Sequence, residues 1–175
     1  AAHMIAIAET PQRAERWSLI ALTIAETNDE AAAKSWLGSI YNNLGWTYFD
    51  DGQIDKALTL FEKGVAFHQT KGQTLQWQIA RWNVARAHRE LGQLDPAIKE
   101  QLELLKLADI GTPHFGYINE ELGELDLLST DKNHEPYFAT AYSVLAEDDW
   151  LNNHEATRLA RMNALGQGVR GQPTR

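Results

Sequence analysis

Two stretches of the chain, FDDGQIDKALTLF from Phe49 to Phe61 and RELGQLDPAIKEQ from Arg89 to Gln101, align without a gap at an offset of 40 residues. The alignment places Gly52 on Gly92, Gln53 on Gln93, Asp55 on Asp95 and Ala57 on Ala97. Upstream, the same register sets Tyr41, Leu44, Gly45 and Tyr48 over Arg81, Val84, Ala85 and His88, and Asn43 over Asn83. A third, weaker copy at an offset nearer 37 puts Ile118, Leu122, Leu125, Phe138 and Ala141 in the matching roles. A fixed period of roughly 20–50 residues marks a stacked architecture, in which no unit can bury its apolar face alone and each covers its neighbour.

The units are helical. Apolar residues recur with a period near 3.6 along most of the chain, and no run of alternating β-branched residues interrupts them. The spacing predicts an all-α chain of about eight helices. The first starts at Thr10-Pro11 and runs to about Glu26; the second is capped by Asn28-Asp29 and runs to about Asp50, where Gly52 stops it. Further helices are expected over about 54–69, 74–91, 95–109, 114–128, 133–147 and 150–165.

Composition narrows the class. With 175 residues, 43% hydrophobic content and no cysteine, the chain suits a globular or repeat domain, free of disulfides and of Cys-based zinc sites. No apolar run approaches the ~18 residues of a membrane span, so no membrane partner is expected and the cytoplasm is the expected location. A net charge of −8 opposes nucleic-acid binding, which needs clustered Lys and Arg against phosphate. Residues 1–10 read as a tag remnant or disordered start, with Met4 after AAH suggesting an internal fragment of a longer parent. Residues 166–175 read as a disordered tail; Gly166, Gly168 and Gly171 mimic a dinucleotide fingerprint there without the strand and helix that it requires.

Tyr41, Leu44, Gly45, Tyr48, Ala57, Phe61 and Gly64 resemble the tetratricopeptide repeat family in their order of large, large, small, aromatic, then small, aromatic, small. The resemblance covers about residues 11–165 and implies a right-handed superhelical stack of antiparallel helix pairs. Its repeats fall at about 38–71, 78–111 and 115–148, with flanking helices over 11–26 and 150–165. The repeat is longer than the family's usual one and is similar to that of kinesin light chains and bacterial peptide-responsive regulators. The second copy departs from the pattern at His88 and Gln101, and the third at His134. In the first copy, Gly45 and Ala57 would let helices approach closely, Tyr48 and Phe61 would fill the remaining space, and Gly52 would supply a left-handed cap. Trp36 and Trp77 read as core.

The resemblance further implies that the first helix of each pair lines a concave groove. Candidates there are Asn42, Asn43, Trp46, Phe49 and Asp50 in the first copy, with Ser39 on the same stripe. The second copy offers Trp82, Asn83, Arg86 and Arg89 beside Ile79 and Glu90, and the third Asn119, Glu120 and Asp126. An asparagine amide both donates and accepts, so Asn43 and Asn83 can pair with the backbone of an extended peptide, or else satisfy nearby helix ends. Arg86 and Arg89 can hold a carboxylate, or pair with Glu90, Asp50 or an acid of the third repeat. Trp46 and Trp82 can anchor a ligand or fill space between helices.

Enzyme signatures are missing: there is no HExxH pair, phosphate-binding loop or nucleophile elbow, and both NHE triplets, at 133–135 and 153–155, read as helix starts. A lone His88 reads as a packing residue. No catalytic residue, metal or cofactor is therefore expected. The expected function is protein–protein interaction, with a peptide or protein tail held in the groove. The alternative is a scaffold segment that self-associates, for which a homodimer is the simplest form, or packs on another part of a longer parent.

Overall fold

The computed structural model describes residues 11–129 and 133–167, and all regular structure among them is helical. The expected disordered start lies outside the described residues, as does the tail from residue 168; Gly166 instead closes the last helix. The chain divides between Gly92 and Gln93 into two compact units.

The first unit contains α1 (Pro11–Thr27), α2 (Ala31–Lys34), α3 (Leu37–Asp50), α4 (Ile54–Thr70) and α5 (Thr74–Glu90). Helix α1 packs on α3, α3 on α4 and α4 on α5. Tyr41, Leu44, Tyr48, Ala57, Leu60, Phe61 and Ala87 form its main core, and Ala21, Ala25 and Ile40 join α1 to α3. Glu26 of α1 ties three helices together by accepting from the Tyr41 hydroxyl of α3 at 3.1 Å and from Lys63 Nζ of α4 at 3.2 Å. Burial, and then the Glu26 carboxylate beside it, pushes the Tyr41 phenol up to about 12.

Gly45 shows why the first repeat needs a glycine inside a helix. A Cβ there would lie 2.4 Å from Cε1 of Phe61, so the ring occupies the space that a side chain would take. The turns use glycine differently. Gly52 has φ of 76°, its N–H bonds to Phe49 O at 3.0 Å, and the next N–H, of Gln53, reaches back to Tyr48 O at 2.8 Å. This paired closure satisfies the last free carbonyls of α3. Gly72-Gln73 repeats it at the end of α4, with φ of 64° and bonds to Gln69 O and His68 O.

The second unit contains α6 (Leu94–Leu107), α7 (Pro113–Leu128), α8 (Glu135–Leu145), α9 (Asp149–His154) and α10 (Ala156–Gly166). Phe138, Ala141, Leu145, Leu151, Leu159 and Met162 form its core. Here Gly123 meets the Phe138 ring as Gly45 meets Phe61: an added Cβ would lie 2.8 Å from Cε2. The small position of the third copy is therefore Gly123, one residue beyond the Leu122 that an offset of 37 places over Ala85.

Two expected helices are broken. The helix predicted to end at Asp50 splits at Ser35-Trp36, where Ser35 Oγ donates to Ala32 O at 2.8 Å and the Trp36 N–H to Ala33 O at 3.3 Å. Trp36 is consequently 50% exposed, correcting its assignment to the core: it stands just ahead of the buried stripe that starts at Gly38. The last helix splits at Glu155, whose backbone (φ −127°, ψ 28°) is not helical. Asp148 starts α9 by accepting from the N–H groups of Trp150 and Leu151.

Candidate functional site

Helices α3 and α5 both lie against α4, which brings their facing stripes together in the first unit. Asn83 Nδ2 of α5 donates to Asn42 Oδ1 of α3 at 2.9 Å, and Asn42 Nδ2 donates in turn to Asn43 Oδ1 at 3.0 Å. The bonds run in one direction, so the relay does not use the Asn43 amino group at one end or the Asn83 carbonyl oxygen at the other. Asn83 is only 2% exposed, whereas Asn42 and Asn43 are half-buried. A buried amide of this kind is retained at a cost unless it is bonded, and the relay meets part of that requirement.

The three asparagines line a pocket of about 290 Å³ between α3, α4 and α5. Ser39, Gln76 and His68 add polar groups to its wall, and Phe61, Ile79 and Ala80 add apolar ones. His68 is held by a 2.7 Å bond from Nδ1 to Gln73 Oε1, and Gly38 leaves room for its ring, since a Cβ there would lie 2.5 Å from His68 Cε1. His68 and Gln76 were not among the candidates from sequence. The signal for His68 was present in the spacing Phe61, Gly64, His68, which keeps one face of α4 turned to the pocket.

One turn further along, the Arg86 guanidinium lies over the Trp46, Phe49 and Trp82 rings at 5.4, 5.6 and 5.3 Å. Trp46 also meets Phe49 edge-on at 4.9 Å and Trp82 at 6.2 Å. The tryptophans therefore hold a cation as well as fill space, each such contact being worth about 0.5–2 kcal/mol. Arg86 Nε is buried and has no hydrogen-bond partner among the described residues. Asp50 is exposed at the end of α3, and Arg89 pairs with its neighbour Glu90 at 3.0 Å.

The third-copy candidates lie in the second unit, where Asn119 and Glu120 already bond to other groups of the protein. Asn119 Nδ2 donates to Phe115 O at 2.8 Å within α7. Glu120, 8% exposed, receives both Nε and Nη2 of Arg158 from α10 at 2.7 and 2.6 Å. The hydrogen bonds to Glu120 push the Arg158 guanidinium up against the opposing effect of burial. Burial likewise pushes the His114 imidazole down, and its Nε2 is enclosed without a partner among the described residues. Among the described residues, no three His, Cys, Asp or Glu gather closely enough to hold a metal ion. No helix among them is long and apolar enough to cross a membrane.

Residues 37–71, which run through α3, the turn at 51–53, α4 and the first residue past α4, match the family model described as Tetratricopeptide repeat. They form a tetratricopeptide repeat. None of the curated proteins matches the sequence. Among solved structures, the chain is similar to nearly identical TPR-like repeats from a Podosopora anserina protein assigned to the kinesin light chains. That match has a TM-score of 0.62 at 17% identity and covers 95% of this chain and 87% of the other. At that identity the likeness establishes the fold, a helical stack of the tetratricopeptide type.

Proposed function

We propose that this chain is a protein-interaction module that holds an extended peptide segment of a partner protein between α3 and α5. Tetratricopeptide repeats generally mediate protein–protein interaction. The observation that carries the finer reading is the one-way relay from Asn83 through Asn42 to Asn43, because its unused donor and acceptor ends match the oxygen and N–H of an amide group, which a peptide offers in its backbone and in Asn and Gln side chains. Arg86, lying over three rings, supplies a charge for a carboxylate of the ligand, and Trp46 and Phe49 supply apolar area beside it. Asn119 and Glu120 belong to this reading only if a ligand displaces the bonds that they already make.

The reading assigns no catalysis and no cofactor, and it places the chain in the cytoplasm. The net charge of −8 disfavours a nucleic-acid partner. The test is affinity capture from the native cell's lysate with the wild type and an Asn42→Ala, Asn43→Ala, Arg86→Ala variant, both shown folded by circular dichroism. A protein captured by the wild type and lost from the variant supports the groove; identical capture by both counts against it.

One observation favours a second reading, self-association or cover from elsewhere in a longer parent. Leu19, Ile20 and Ile24 of α1 are 41, 36 and 50% exposed along one helix. Light scattering over a range of concentrations separates the readings, because only self-association makes the mass rise with concentration and lets Ile20→Glu abolish that rise.

A further inference from the structure

We infer that the pocket between α3, α4 and α5 receives the side-chain carboxamide of a glutamine or asparagine in the bound peptide. This inference rests on the peptide reading above and names what that site selects.

Size argues first. At about 290 Å³ the pocket falls at the lower edge of the roughly 300–1,000 Å³ typical of small-molecule sites, which suits one inserted side chain rather than a cofactor. Charge argues second. Its polar wall is made of Ser39, Asn42, Asn43, Gln76, Asn83 and His68, with no carboxylate, lysine or arginine among the described lining residues to balance an inserted ion. A charged side chain entering there would give up water without gaining a counter-charge.

Hydrogen bonding argues third. An aliphatic side chain would cover the free ends of the asparagine relay and leave them dry and unbonded. A hydroxyl must serve both ends with a single oxygen. A carboxamide carries both groups on one rigid plane, and it can accept from the Asn43 amino group while donating to the Asn83 carbonyl oxygen. Asn83 is buried and fixed by its bond to Asn42, so that acceptor is set before the ligand arrives.

A peptide's own backbone amide offers the same chemistry, and the experiment distinguishes the two. A random dodecapeptide phage library is selected against the full chain, and enriched peptides are synthesised and titrated by fluorescence polarisation. The expected result is a fixed Gln or Asn whose replacement by Leu or Glu weakens binding by about tenfold or more. Ser39→Trp, at an exposed rim position, closes the pocket and removes the difference between the Gln and Leu peptides; Asn43→Leu does so from within. If peptides bind and Arg86→Ala weakens them, but no carboxamide position emerges, the backbone is the ligand group and this inference falls while the groove stands. If no peptide is enriched, or those enriched bind every folded variant equally, the groove reading falls and the inference with it.

Discussion

Gly45 and Gly64 sit in the same repeat and face opposite surroundings. An added methyl at Gly45 meets the Phe61 ring at 2.4 Å, whereas at Gly64 it meets only Ala80 Cβ at 3.8 Å and Tyr41 Cβ at 3.9 Å. Gly45→Ala is therefore expected to lose about 1–3 kcal/mol to overpacking despite its better helix propensity. Gly64→Ala should gain up to about 1 kcal/mol, and urea unfolding of the pair gives both signs in one experiment. Gln101 stands at the position of Phe61 in the second copy, wholly buried, with neither amide atom bonded among the described residues. Gln101→Leu is expected to stabilise by about 1 kcal/mol and to raise the melting temperature by about 2–4 °C. His114 bears on pH: its folded-state pKa is lowered by burial, so the unfolded chain binds the extra proton first. Stability should fall as pH drops through about 6.5, and His114→Gln should flatten that slope in melts from pH 7.5 to 5. At this scale the sequence was readable where size is the message, as for Gly45 and Phe61. It was unreadable for Gln76 and His68, whose role depends on which helices enclose them.

At the scale of the element, helix ends are governed by turns whose chemistry is local. Gly52→Ala should cost about 1–2 kcal/mol, because the left-handed cap of α3 has no room for a Cβ in energy rather than in space: nothing lies within 4 Å of it. Gly52→Asn should recover part of the loss, and denaturant melts of the two variants check the order. The α10 helix is secured to α7 by Arg158 on Glu120, a charge that is 8% exposed and poorly placed to regain water. Arg158→Met is expected to destabilise the second unit by about 2 kcal/mol, and adding Glu120→Gln should restore most of it. A double-mutant cycle followed by urea unfolding measures the coupling. Glycine and proline signals placed most boundaries of α3 to α7 within a residue or two. The splits at Ser35-Trp36 and Glu155 carry no such residue, being set by packing and by the Ser35 and Asp148 side chains, which periodicity does not register.

For the molecule as a whole, the repeat offset made the fold class legible, since a register that recurs over a third of the chain leaves few architectures open. The site was legible only as a stripe. Asn42, Asn43 and Asn83 could be named from one face of two helices, but the direction of their bonds and the pocket beneath them come from three helices meeting. On the proposed reading, in which Arg86 meets the ligand, a molecule with a net charge of −8 should bind an acidic peptide with a modest dependence on salt, since long-range repulsion and the local cation oppose each other. Titration of one selected peptide at about 50 and 500 mM salt checks this. The Gly-Gln joints at 52–53, 72–73 and 92–93 recur every 20 residues, at the turn within a pair and at the turn between pairs alike. A chain jointed in this way can be lengthened by splicing at any of them without new turn chemistry. The lengths are quantised all the same: within the first unit, a splice of one helix reverses the direction of the helix that follows it, and only a splice of two restores that direction.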